Sequence, residues 1–153
     1  MAVGKQKPGT VDPDNPVLEI FSLSDFAADY GNGKLSVIGC FDTIFTKQLP
    51  TVHPQCSISA RMRFGNSEVG NHTFEIRAIT PSGKVLHSVN GKADVKANPN
   101  ATYSTRNLIM TLNNFKLEEF GAYAFEFWLN GEFHSGLKMH VVHGLPPGMV
   151  KAA

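Results

Sequence analysis

The chain has 153 residues, 42% of them hydrophobic and only 18% charged, with a formal net charge of +1. A single domain of that length buries about 70% of its unfolded surface, so it needs neither a disulfide framework nor a structural metal to fold. The near-zero charge gives no general attraction to nucleic acid or an anionic membrane, and no apolar run approaches the roughly 20 residues of a membrane helix.

Residues 1–16, MAVGKQKPGTVDPDNP, hold three prolines and two glycines. They have too few apolar side chains to offset their ordering entropy and read as a flexible or partner-bound arm. They contain no signal-type apolar segment, so a cytoplasmic location is the default expectation. Residues 17–143 form the expected domain and 144–153 a tail. The first strand is Leu18 to Ser24, followed by one helical turn over 24–30 with Ser24 or Asp25 as N-cap. Gly31 to Lys34 is a turn, and Leu35 to Phe41 a strand with β-branched Val37 and Ile38 at its centre. Ile44 and Phe45 extend that strand, and Leu49-Pro50 and His53-Pro54 then break regular structure.

Cys56 to Phe64 alternates cleanly, with Cys56, Ile58, Ala60, Met62 and Phe64 inward and Ser57, Ser59, Arg61 and Arg63 outward. Next comes His72 to Thr80, with Phe74, Ile76 and Ala78 inward and Glu75 and Arg77 outward. Pairing of these two strands would set Arg61 or Arg63 opposite Glu75. Pro81 to Lys84 is a tight turn, Val85 to Val89 a short strand, and Asn90-Gly91 a second turn of hairpin type before Lys92 to Lys96. Tyr103 to Leu112 turns Leu108, Met110 and Leu112 inward, and Phe115 and Leu117 plug the core at a crossing between sheets.

Gly121 to Val142 is the strongest pattern. Tyr123, Phe125, Phe127 and Leu129 alternate with Ala124, Glu126, Trp128 and Asn130 before an Asn130-Gly131 pair. Asn-Gly between two such runs signals a two-residue hairpin turn with positive φ at both residues. Phe133, Leu137, Met139 and Val141 are expected to continue the apolar face. About eight strands, each wet on one side, predict an all-β, two-sheet antiparallel sandwich of immunoglobulin-like type.

Chemistry is sparsely signalled. The six histidines show no His-x-His or His-Glu-x-x-His spacing, and His134 and His140 lie about 20 Å apart on an extended strand. Solvated or hydrogen-bonded histidines are therefore expected, with no metal and no cofactor. Asp42 follows a buried-looking strand; it either caps a turn or is a partly desolvated acid. No Gly-x-Ser-x-Gly and no phosphate-binding glycine loop is present. Cys40 and Cys56 are not expected to bridge, and Cys56 fits as a small buried hydrophobe.

Trp128, the only Trp, shares its outward face with Glu126, and strand parity adds His134, His140 and Val142 to the same outer surface. Either the chain's own segments cover this Trp, or it anchors a protein or a sugar ring.

Asp25-Phe26-Ala27-Ala28-Asp29, the run Gly33 to Ile44, His53-Pro54, Gly121 to Phe125 and Asn130-Gly131 together resemble a family of small bacterial domains of unknown function. The resemblance spans about residues 18–142. It implies a β-sandwich and transfers no catalytic residue.

The expected function is a non-catalytic structural or interaction module, a subunit of a larger assembly of shell, decoration or scaffold type. It would contact a protein partner or its own copies through the arms and an outer sheet face, with no role for nucleic acid or membrane. The alternatives are a small-ligand or glycan-binding module built on Trp128, and a hydrolase pairing Asp42 with a histidine.

Overall fold

The computed structural model describes residues 16–148. Residues 1–15 of the expected arm and 149–153 of the expected tail lie outside the described residues. Nine strands follow one another: β1 (Val17–Asp29), β2 (Leu35–Cys40), β3 (Thr43–Thr46), β4 (Thr51–Gly65), β5 (Gly70–Ile79), β6 (Val85–Val95), β7 (Tyr103–Leu117), β8 (Gly121–Leu129) and β9 (Glu132–His143). A single 3-10 turn, Asn66–Glu68, joins β4 to β5. A first sheet has the order β2-β1-β4-β7 and a second the order β3-β9-β8-β5-β6.

The all-β, two-sheet expectation stands, with one strand more than the expected eight. The addition is β3, which pairs parallel to β9 through Thr43↔His140 and Phe45↔Val142, so the ladder is not wholly antiparallel. Its origin is the chain's crossing at Phe41 and Asp42 from the first sheet to the second.

One core lies between the sheets. Cys56, Ile58, Ala60, Met62 and Phe64 of β4 are all at most 2% exposed, and face Tyr123, Phe125 and Phe127 of β8. Phe115 meets Tyr123 edge-on at 6.0 Å, and Phe21 meets Phe127 at 5.9 Å. Each such ring removes roughly 150–250 Å² from water.

Local expectations differ from the structure at several points. Residues 24–29 continue β1 instead of forming a helical turn. Asn90-Gly91 is not a turn: β6 runs straight through it, with Phe74 directly opposite Gly91. A Cβ at Gly91 would lie 2.1 Å from Phe74 Cζ, so the glycine makes room for a ring. Pro54 sits inside β4, where β7 is the only neighbour among the described residues because β1 leaves the ladder at Ser24↔Ser57. Its missing N–H therefore breaks no ladder bond on the open side. Phe115 and Leu117 end β7 itself instead of a crossing between sheets. Arg61 and Arg63 do not meet Glu75, because β4 and β5 belong to different sheets; both reach Glu19 at 3.4 Å instead.

The largest departure concerns the outer face of the first sheet. Ile20 pairs with Arg61, and Arg61 with Asn107. Asn107 therefore lies two strands, about 10 Å, from Ile20. Asp29 is nine residues beyond Ile20, about 30 Å along a straight strand. Yet Asn107 Nδ2 donates to Asp29 Oδ2 at 3.2 Å, and Arg61 Nη1 donates to Gly33 O at 2.7 Å. We conclude that β1 bends back near Asp25 and the hairpin Asp25–Cys40 lies as a flap over its own sheet. Gly39, at φ 71°, lets β2 follow the bend; a Cβ there would sit 2.5 Å from Asp25 Oδ2. Beneath the flap, Ser57 and Ser59 are 1% and 0% exposed although their parity is outward.

Candidate functional site

Among the described residues no further layer lies on the outer face of the second sheet, whose central strand β8 carries Trp128. The sheet puts Glu75 of β5 directly opposite Trp128, with Arg77 opposite Glu126. Arg77 donates to Glu75 from Nε at 2.6 Å and from Nη2 at 2.9 Å, and Ser88 Oγ donates to the same carboxylate at 2.7 Å. The Arg77 hydrogen bonds first, then that of Ser88, hold the Glu75 carboxyl below its usual range, and Glu75 in turn raises Arg77. The Arg77 guanidinium lies 4.2 Å from the centre of the Trp128 ring, in a cation–π contact. Trp128 Nε1 donates to Glu126 Oε2 at 2.9 Å. One network thus runs from Ser88 across β5 to Trp128 and Glu126.

The hairpin tip next to it is firmly held. Asn130 and Gly131 have φ of 51° and 81°, as the Asn-Gly signal requires. Asn130 N–H donates to Thr73 O at 2.8 Å, and Thr73 N–H returns a bond to Asn130 Oδ1 at 2.9 Å. Asn130 Nδ2 donates to His72 Nδ1 at 2.9 Å, which leaves His72 Nε2–H to donate to Glu68 O at 2.6 Å. Both ring nitrogens of His72 are used, and its ring lies tilted 4.7 Å from that of Phe64. It is structural.

Between the tip and β6 lies a concavity of about 330 Å³, walled by Trp128, Thr73, Glu75, Asn90 and Lys92. Strand parity points these side chains outward and leaves the main chain of the Phe74–Gly91 pair as the floor.

Of the residues the sequence placed around Trp128, Glu126 is beside it and the others are not. The β8–β9 register shifts between Phe127 and Trp128, so Trp128 pairs with Phe133. Phe133, expected in the core, is instead 54% exposed and meets the Trp128 ring edge-on at 5.8 Å. His134 is displaced to the Phe127 side, with ring centres 6.2 Å apart. His140 pairs with Ala122, six residues from Trp128 and thus about 20 Å along the strand. Val142 lies beyond it, beside Phe45. The outward Glu-x-Arg of β5 signals Glu75 and Arg77 in the sequence, but only the sheet order sets them beside Trp128 and beside Asn90 and Lys92 of β6.

Asp42 is exposed and accepts a 2.8 Å bond from the Thr43 hydroxyl, while its carbonyl accepts the His140 N–H at 2.7 Å. Among the described residues, no group of three or more His, Cys, Asp or Glu side chains is placed to hold a metal. Cys40 is exposed and Cys56 buried, both as free thiols; burial, then the Asp25 charge, pushes Cys56 up to about 11. Among the described residues no helix is long and apolar enough to cross a membrane.

A family model described as a family of unknown function (DUF6941) matches residues 19–142. No curated protein gives a match. Among solved structures, the chain is similar to the Pseudomonas fluorescens alkylpurine DNA glycosylase AlkC bound to DNA containing an abasic site analog. That likeness has 8% identity and a TM-score of 0.44, and covers 84% of this chain and 31% of the other. The chain thus spans less than a third of that protein's length.

Proposed function

Since the chain belongs to the DUF6941 family, we propose that it is a non-catalytic interaction module that associates through the outer face of its folded-back flap. One observation carries this reading. Phe26 and Ile38 pair across the flap and are 45% and 59% exposed, with Tyr30 at its tip 67% exposed. Ala27, on the opposite face of the same hairpin, is buried against the domain. An amphipathic hairpin already seated on one side gains nothing from a second apolar side unless something covers it.

The occupant we assign is a second copy of this chain. The outward side chains Phe26, Ala28, Ser36, Ile38 and Cys40 carry no charge, so the patch does not repel its own image in a two-fold contact. The module is on this reading a variant of the immunoglobulin-like sandwich, with the flap as its added element. A catalytic alternative built on Asp42 has less support, because that carboxylate is solvated and engaged by Thr43.

Light scattering after size exclusion at tens of micromolar tests the proposal. A dimer or larger species is expected, and Phe26→Asp combined with Ile38→Asp should return the monomer. Labelling of Cys40 should slow as protein concentration rises, since it lies on the covered face. A monomeric wild-type chain whose Cys40 labels at a concentration-independent rate overturns the reading.

A further inference from the structure

The concavity beside Trp128 lies on the sheet opposite the flap, so its role is independent of self-association. We propose that it is a binding site for a neutral hexopyranose ring, free or at the end of a glycan.

The walls of the concavity differ in chemistry. Arg77 lies over the indole and Phe133 meets it edge-on; neither is among the walls of the concavity, which Trp128 helps to form. An apolar ring face is what a pyranose, whose axial C–H groups share one side, packs against. The remaining walls mix donors and acceptors: the Lys92 ammonium, the Asn90 amide, the Thr73 hydroxyl and the Glu75 carboxylate. Among the described residues the side chains of Asn90 and Lys92 have no hydrogen-bond or ion-pair partner, so both are available to a ligand. A few convergent polar groups around an aromatic wall, in a volume of about 300 Å³ or more, is the general form of a small-ligand site.

Charge narrows the class further. Glu75 is compensated by Arg77 at 2.6 Å, and Glu126 is occupied by the indole N–H. Lys92 has Asp94 two residues along the same face of β6. No single-sign field remains to select a strongly charged ligand. A ring of hydroxyls, donating and accepting by turns, matches such a lining better than a phosphate or an ammonium does.

The site is also pre-formed. The Asn130 clamp on Thr73 and the Arg77–Glu75 pair fix two of its walls without a ligand, which limits the ordering cost of binding.

Because Trp128 is the only Trp, its emission reports this site alone. The test titrates the full chain with the methyl glycosides of glucose, galactose, mannose and N-acetylglucosamine, and with sorbitol as an acyclic polyol. At least one glycoside should give a saturable change in emission, and sorbitol none. Asn90→Ala and Lys92→Ala keep the fluorophore, sit on an edge strand, and should each weaken that affinity tenfold or more. Silence across the glycosides overturns the proposal. So does a response shared with sorbitol or one untouched by both variants. Parallel light scattering on the same samples separates this outcome from failure of the self-association reading, because the flap patch does not contribute to the signal.

Discussion

On the outer face of the first sheet Ser57 and Ser59 are 1% and 0% exposed, while on the outer face of the second Glu75, Arg77 and Trp128 remain half-buried in a network open to solvent. Both faces come from strands with the same alternation of apolar and polar residues. In the first, the polar positions at the sheet centre are small, and a hairpin lies on them. In the second they are long or aromatic, and they interlock laterally. Side-chain size at the polar positions, not polarity, decides whether a sheet face can take a further layer.

Enlarging the covered serines should separate the two faces most. Ser59→Leu inserts a branched side chain under the flap and should cost about 1–3 kcal/mol through overpacking. Lys138→Leu, on the open outer face of β9, should stay within about 0.5 kcal/mol of wild type. Urea midpoints measure both. Equal effects at the two positions would mean that the flap does not sit on the serines.

Arg61→Ala attacks the same contact from the flap's tip. It removes the bonds to Gly33 O and Asn107 Oδ1, of 2.7 and 2.9 Å, and leaves the turn at residues 30–34 held from β4 by nothing comparable. A loss of about 1–2 kcal/mol is expected, with faster amide exchange confined to residues 30–38. Exchange that rises equally in β5 and β8 would show a general destabilisation instead.

A smaller effect of opposite sign belongs to Ser59→Ala. The Ser22 and Ser59 hydroxyls are buried without hydrogen-bond partners. Removing an unsatisfied hydroxyl without changing the packing should be neutral or stabilise by up to about 1 kcal/mol. A clear loss of stability would mean that the hydroxyl is satisfied in solution.

These residues also mark where the sequence stops being legible. The inward sets of β4 and β8 were readable because every second residue is apolar, and the Asn130-Gly131 turn because only positive-φ residues suit it. The flap was not, since Asp25 to Asp29 carries no breaker and the bend is dictated by contacts to Arg61 and Asn107, distant in sequence. Gly91 looked like a turn residue because Asn-Gly is a local signal, yet the cause of the glycine is the Phe74 ring on the next strand. Around Trp128, parity found Glu126 but misplaced Phe133 and His134, because a one-residue shift in the β8–β9 register exchanges faces beyond it. His140 shares the face, but not the neighbourhood.

The open face makes the last and weakest prediction. Its ion pair is about a quarter to a third exposed, with side-chain exposures of 32% for Arg77 and 24% for Glu75. Its contribution is therefore that of a largely solvated pair, small and screened by salt. Glu75 is held below its ordinary value of 4.5 in the folded chain. The stabilisation is then complete above that value and is lost as pH falls through the lowered folded one. Protonation frees Arg77 from the carboxylate and loosens its position over the indole, so Trp128 emission should change on acidification below pH 4.5. Glu75→Gln should flatten that transition, whereas Glu126→Gln, which keeps an acceptor for the indole N–H, should leave it in place. An acid transition identical in Glu75→Gln and wild type would place the titrating group elsewhere and reduce the network on this face to a set of solvated side chains.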